Sequence, residues 1–295
     1  MRRPRAAAKR RFAALAALLL IALAAPAAQA APKDGGEKRI VALTPFAANT
    51  LAELGVAPVG VGQTLGGRER YSPKLKGVEV LPLSHPNGPN LEQLASLDPD
   101  LVLSSRTWAK GNQAIESLGI EVVVREPVSI AGSLADTYKL GQLVGRAHRA
   151  RAIVKQRRKR IEAAERGISS HPRVMLLLGV GRTPFTFLPN SWGGNLLEAA
   201  GAELLTGGVR SRSGFERISD EVVIAEDPEV IIAVPHANAE DIPSLTQYLR
   251  GNPAWSSTTA ARTGRVYVSV DNSLLQAGTD VAATIRKVRR QFLQN

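Results

Sequence analysis

Cysteine is absent from the 295 residues and histidine occurs only four times, so the inventory for covalent and metal chemistry is short. Thiolate catalysis and iron–sulfur ligation are excluded. No Gly-x-Ser-x-Gly elbow and no His-x-x-x-His pair occurs, and His85 and His236 stand apart rather than in a ligand-spaced cluster. The stretch "GVGRTP" (179–184) fits neither a dinucleotide-binding nor a P-loop pattern. What remains is a pair of carboxylates in matched surroundings. "LEQLASLDPDLVL" (91–103) returns as "DEVVIAEDPEVII" (220–232), so that Glu92 and Glu221, Asp98 and Asp227, and Pro99 and Pro228 are each separated by 129 positions. In each copy an acid sits in the first turn of a helix, where the dipole favours it. Each helix stops at Asp-Pro, because the residue before proline avoids the helical region, and a buried strand follows. That accounts for every repeated position except the glutamates. A first-turn glutamate needs no further function, so the repeat by itself leaves their role open.

The elements that must position them are legible as alternating patterns. "RIVAL" (39–43), "PVGVG" (58–62), "DLVLSS" (100–105) and "EVVVRE" (121–126) read as strands, with "FAANTLAELG", "NLEQLASL" and "GNQAIESLG" as helices between or beside them. The same alternation resumes with the strands "RVMLLLG" (173–179), "FTFL" (185–188), "EVIIAVP" (229–235) and "RVYVSV" (265–270). The helices "GGNLLEAAG", "SDEVVIAE", "SLTQYLRG" and one within "AGTDVAATIRKVRRQFL" accompany them. A second echo, "LAELGVA" (51–57) in "LEAAGAE" (197–203), has an offset of 146. Between the copies, Ser133 to Arg166 reads as one helix with a capping box Ser133-x-x-Asp136 and a stop at Gly167. It would be about 50 Å long. The expected fold class is α/β: two Rossmann-like parallel-sheet lobes, 39–130 and 171–295, joined by a single long helix within 131–170.

The first thirty residues stand outside that plan. Arg2, Arg3, Arg5, Lys9, Arg10 and Arg11 precede an apolar run ending in Ala28-Gln29-Ala30, the pattern of an export signal cleaved after about Ala30. Phe12 to Ala25 falls short of the roughly 20 residues that span a bilayer. Removing the six leader charges from the formal +12 leaves +6, which weakens any nucleic-acid reading. The second basic run, Arg146 to Arg160, reads as a solvated helix face. Without cysteine the mature chain carries no lipid anchor, and no later segment is apolar enough to cross a membrane. The expectation is a monomer free in the periplasm or secreted, with no nucleic-acid partner and no cofactor.

Ligands of doubly wound sheets bind beyond the carboxyl ends of the strands, and in a two-lobed chain those ends face each other. The candidates in the first lobe are Phe46 beside Thr44, Tyr71, Arg106 and Trp108, with His85 and Asn87 in "SHPNG". In the second they are Phe185, Trp192, Arg210, Arg212, Phe215 and Asn272, with His236 at the end of a strand. Aromatic residues make up only 4% of the chain, so rings at these positions suit the rim of a bulky organic ligand. The arginines suit an anionic chelate through forked donors.

From about Arg39 onward the chain resembles the periplasmic substrate-binding proteins of ABC importers for iron–siderophore, cobalamin and haem. The resemblance is carried jointly by "PNLEQLASLDPDLVL", "SWGGNLLEAAGAELL", "ISDEVVIAEDPEVIIAVP" and "NPAWSSTTAARTGRVYV". It implies two lobes joined by a long helix and no catalysis. It also implies that Glu92 and Glu221 dock onto arginines of the membrane permease, and that the ligand is a ferric siderophore or a corrinoid. A haem-binding member of the same family, with Tyr71 as a possible iron ligand, is the alternative. An exported α/β enzyme and a sensor or scavenger on the same fold are the rivals from other classes.

Overall fold

The computed structural model describes residues 38–63, 71–180, 183–236, 240–270 and 272–294; the expected export signal lies outside them. The first half runs β1 (Ile40–Ala42), α1 (Pro45–Leu54), β2 (Gly60–Gly62), β3 (Glu79–Leu81), β4 (Leu83–Ser84), β5 (Gly88–Pro89), α2 (Leu91–Ser96), β6 (Leu101–Ser104), α3 (Ala109–Ser117) and β7 (Glu121–Val124). Then come α4 (Ile130–Leu143) and α5 (Ala147–Glu165). The second half runs β8 (Arg173–Val180), β9 (Thr183–Phe187), α6 (Trp192–Ala199), β10 (Glu203–Leu204), β11 (Phe215–Arg217) and α7 (Asp220–Glu226). It closes with β12 (Val230–Pro235), α8 (Ile242–Arg250), α9 (Thr259–Arg262), β13 (Val266–Val268) and α10 (Val281–Val288).

The first sheet is wholly parallel in the order β3-β2-β1-β6-β7. The central β1, buried along its length, sets Val41 opposite both Gly60 and Val102. The second sheet is centred on β8 and β12, in the order β11-β9-β8-β12-β13 with β10 also on β8. It corrects the expectation of a parallel second lobe, since β9 is antiparallel to β8 and β11 antiparallel to β9. The reason is spacing. Val180 pairs with Thr183, and a parallel crossover needs a dozen or more residues where a hairpin needs very few.

Both sequence echoes are backbone echoes. Asp98 and Asp227 both adopt left-handed conformations, at φ 44° and 41°, and no other non-glycine residue among those described has positive φ. The Asp-Pro stops therefore act by reversing the chain rather than merely ending the helix. Gly55 and Gly201, at φ 81° and 103°, match as well. Val56 N–H donates to Leu51 C=O at 2.9 Å, and Ala202 N–H donates to Leu197 C=O at 3.0 Å, the same helix-ending bond 146 positions apart.

The single connecting helix is also corrected. It divides at Val144–Arg146, where Gly145 takes φ 67° and the N–H groups of Gly145 and Arg146 close α4 onto Gln142 and Gly141 carbonyls. A glycine reaching left-handed φ is the usual helix stop, and it lay unread inside the apolar stripe. The N-cap is Ser129, whose hydroxyl accepts from Gly132 N–H at 3.0 Å, so Ser133 is inside the helix and buried. The two helices pack against each other instead of running end to end. Arg157 of α5 donates to Thr137 of α4 at 2.6 Å and to Glu53 of α1 at 2.8 Å. The rest of the basic run is largely exposed as expected, but Arg157 is buried. At the far end, Arg289 donates to the carbonyls of Ala164 and Gly167, at 2.9 and 3.1 Å, and so caps α5.

One buried apolar cluster runs from Ile40 and Leu101 of the first sheet through Leu140 and Ile161 of the helix pair to Val174 and Ile232 of the second. The helices meet most closely at Gly141, where an added Cβ would lie 2.2 Å from the Cβ of Ala150. Gly141→Ala is expected to cost about 1–3 kcal/mol, as overpacking does, read from urea unfolding. An unchanged midpoint would show that this crossing is not close-packed.

Candidate functional site

The carboxyl ends of β1, β6 and β7 carry the first half of the site. Thr44 follows β1 and caps α1 by accepting from Ala47 N–H at 3.2 Å. Phe46 enters α1 and is fully buried among the first-lobe core residues. After β6, Ser105 accepts from Thr107 N–H at 2.9 Å and opens the 3-10 turn Arg106–Trp108. That turn divides its residues: Arg106 is exposed, while Trp108 points inward among Leu43, Leu81, Leu94 and Ile115 at 1% exposure. His85, exposed in the β4–β5 hairpin, stands edge-on to the Trp108 ring with centroids 6.2 Å apart. The Tyr71 hydroxyl donates to the carbonyl of Gly62, the last residue of β2, and the ring is half-buried.

Sequence reasoning missed Glu126, two residues past β7. Its carboxylate accepts from the Ser105 hydroxyl, while Ser104 donates to Asn112 Oδ1 at 2.6 Å and Asn112 Nδ2 to Ser105 C=O at 2.8 Å. Burial raises the Glu126 carboxyl above the ordinary range, with the Ser105 hydrogen bond partly opposing it. Only the run of two serines after β6 hinted at this polar knot.

In the second half, Phe185 and Phe215 are strand residues of β9 and β11 rather than loop residues. Phe215 meets Phe187 edge-to-face at 4.7 Å. Trp192 starts α6, is buried, and donates from Nε1 to Ser273 C=O at 2.9 Å. Arg210 and Arg212 are exposed on the loop before β11. Asn272 opens the 3-10 turn Asn272–Leu274, and its side chain lies outside the described set. His236 follows β12 directly, and its N–H donates to Gly179 C=O at 2.9 Å. Its Nδ1 is buried without a hydrogen-bond partner among the described residues. Burial depresses its pKa, and repulsion from His85 lowers it further. Among the described residues no group of three or more His, Asp or Glu side chains could hold a bare metal ion.

Glu92 and Glu221 are both exposed in the first turns of α2 and α7, but their starts differ. Asn90 caps α2 by accepting from Glu92 and Gln93 N–H at 2.9 and 3.0 Å. Ser219 makes no side-chain cap bond to α7; its hydroxyl instead bonds the Glu221 carboxylate and lowers its pKa, with help from Glu221's own N–H.

The profile of the family described as "Periplasmic binding protein" matches residues 40–271. The chain belongs to that family. It is therefore a binding protein of the transport class and not an enzyme. A "Cobalamin-binding protein" of Halobacterium salinarum is 30% identical over 265 residues, covering 88% of this chain and 70% of that one. The "High-affinity heme uptake system protein IsdE" of Staphylococcus aureus is 25% identical over 240 residues, 79% of each chain. Among solved structures, an ABC transporter substrate-binding protein from Listeria monocytogenes superposes with a TM-score of 0.75 at 22% identity, covering 88% and 100% of the two chains. IsdE complexed with heme superposes at 0.72 and 24% identity, with the same coverages. These two likenesses fix the fold of this binding protein. No helix among the described residues is long and apolar enough to cross a membrane.

Glu126 supplies a pH test. Its raised native pKa makes the folded state favour the protonated acid. The resulting stability is present in full below the ordinary carboxyl pKa and is lost as pH rises through the native value. Glu126→Gln is expected to leave the melting temperature near that of wild type at pH 4 and to raise it relative to wild type at pH 8. Equal shifts at both pH values would remove the buried acid from the account.

Proposed function

We propose that this binding protein acts outside the cytoplasm, after removal of residues 1–30. In this reading it captures a metal tetrapyrrole, a cobalt corrinoid first, between lobes 39–130 and 171–295, and delivers it to an ABC importer. The observation that carries the reading is the likeness to the halobacterial cobalamin-binding protein over most of both chains. The placement of His85 and His236 supports it. A neutral imidazole is a metal ligand, and the depressed pKa of His236 keeps it neutral at physiological pH. One imidazole from each half suits a planar chelate whose metal has axial positions to fill, where a hexadentate ferric siderophore offers none. Exposed Arg106, Arg210 and Arg212 supply donors for carboxylate or phosphate groups at the chelate rim. Phe46, Trp108 and Trp192, buried in the lobes, shape the walls from behind.

Haem is the second reading, favoured by the relationship to IsdE and by the same imidazole pair. Parallel titrations with diaquacobinamide, whose cobalt has two exchangeable axial positions, haemin and a ferric hydroxamate, followed by ligand absorbance and Trp fluorescence, separate the readings. Saturable binding of diaquacobinamide is expected, and His236→Ala should weaken it about tenfold, or 1.4 kcal/mol. Binding of the hydroxamate alone would overturn the tetrapyrrole assignment.

Delivery is proposed to run through Glu92 and Glu221, one on each half. Reversing both to Lys is expected to leave ligand affinity and melting near wild type, since a first-turn acid contributes only about 0.3–1 kcal/mol. It should abolish permease-dependent uptake into vesicles, because like charges then meet the permease arginines. Normal uptake by the double variant would remove the docking assignment.

A further inference from the structure

The helices that carry Glu92 and Glu221 are very short, six and seven residues. Helices of that length have little stability of their own, so their direction is set by whatever holds their ends. At the carboxyl end of each, the structure repeats one arrangement. Arg39, at the entrance to β1, donates from Nη2 to Leu97 C=O at 2.7 Å and from Nε to Leu97 and Asp98 C=O at 3.2 and 3.0 Å. Arg173, the first residue of β8, donates from Nη2 to Glu226 C=O at 2.6 Å and from Nη1 to Asp227 C=O at 3.4 Å. Each arginine also anchors the strand that follows the helix. Arg39 N–H donates to Asp100 Oδ2 at 2.7 Å and Arg173 N–H to Glu229 Oε2 at 2.8 Å. The return bonds run from Asp100 N–H to Arg39 C=O at 2.8 Å and from Glu229 N–H to Arg173 C=O at 3.0 Å.

We infer that Arg39 and Arg173 are positioning residues for permease docking, each clamping the carboxyl end of a glutamate-bearing helix to the first strand of its sheet. The inference rests on the assignment of Glu92 and Glu221 as docking handles. Three features carry it. Both clamps hold the last helical carbonyls and the left-handed aspartate carbonyl, the groups a helix leaves unsatisfied. Each lies about 8 Å along the axis from its glutamate, so a tilt at the clamp moves the carboxylate directly. The sequence separation across the clamp differs between the halves, 58 positions from Arg39 to Leu97 and 53 from Arg173 to Glu226. The contact is thus repeated although the intervening chain is not. Lysine could donate to one carbonyl but lacks the planar fork that holds two.

The test uses the mature chain carrying Arg39→Gln, Arg173→Gln or both, with Arg→Lys counterparts. Three measurements are made on each: amide exchange over 91–98 and 220–227, affinity for diaquacobinamide, and ATP hydrolysis by the reconstituted cognate permease. The clamp predicts faster exchange confined to the affected segment. It also predicts affinity within about twofold of wild type and a rise of about tenfold in the concentration needed for half-maximal ATPase stimulation, with lysine restoring part of the loss. Unchanged stimulation in the Gln variants, or loss of ligand affinity in parallel with stimulation, would reduce the arginines to general scaffolding. If the double variant does not fold, the single variants give the same readout on one helix at a time. The Glu92→Lys, Glu221→Lys protein serves as the control. Normal stimulation by it removes the docking assignment itself, whereas its failure alongside normal Gln variants removes only the clamp.

Discussion

Everything that both halves of the molecule must do together depends on the crossing of α4 and α5. At Gly141 the backbones approach so closely that not even a methyl group fits, and sixteen residues on, the guanidinium of Arg157 is buried between the same helices and α1. Burial lowers the Arg157 pKa and the Glu53 carboxylate raises it again. This charge is retained by its partners rather than by solvent. Glu53 is 37% exposed, so solvent screens part of the pair, yet its loss would leave the buried guanidinium with one partner fewer. The apolar cluster that joins the two sheets passes through this crossing, which makes the helix pair a rigid spacer.

Much of this was legible in the sequence. The eight strands expected from short Val, Leu and Ile runs are present, because buried parallel strands must be apolar on both faces. The duplicated Asp-Pro stretch is duplicated in backbone as well, with a left-handed aspartate after each helix. The strands that escaped notice are the short or edge ones. Glu79–Leu81 has two exposed residues, and two of the three residues of Phe215–Arg217 are charged, so neither shows a strand's signature. Gly145 was passed over because the apolar spacing continues across it, and periodicity alone cannot see a backbone reversal.

For the candidate residues after the strands, type did not reveal orientation. Arg106 and Trp108 share one turn and face opposite ways. Glu126 gained its raised pKa from burial, which residue type does not disclose, and its hydrogen-bond partner Ser105 lies 21 positions away. The arginine clamps were invisible for a plainer reason: their acceptors are backbone carbonyls, which every residue carries.

The unequal starts of α2 and α7 bear on symmetry. The duplication does not extend to the amino ends of these helices: Asn90 spends its side chain on the N–H groups of Glu92 and Gln93, whereas Ser219 makes no cap bond to α7. On the docking proposed above, the two handles would therefore not be interchangeable, and the chain would present a directional face rather than a symmetric one.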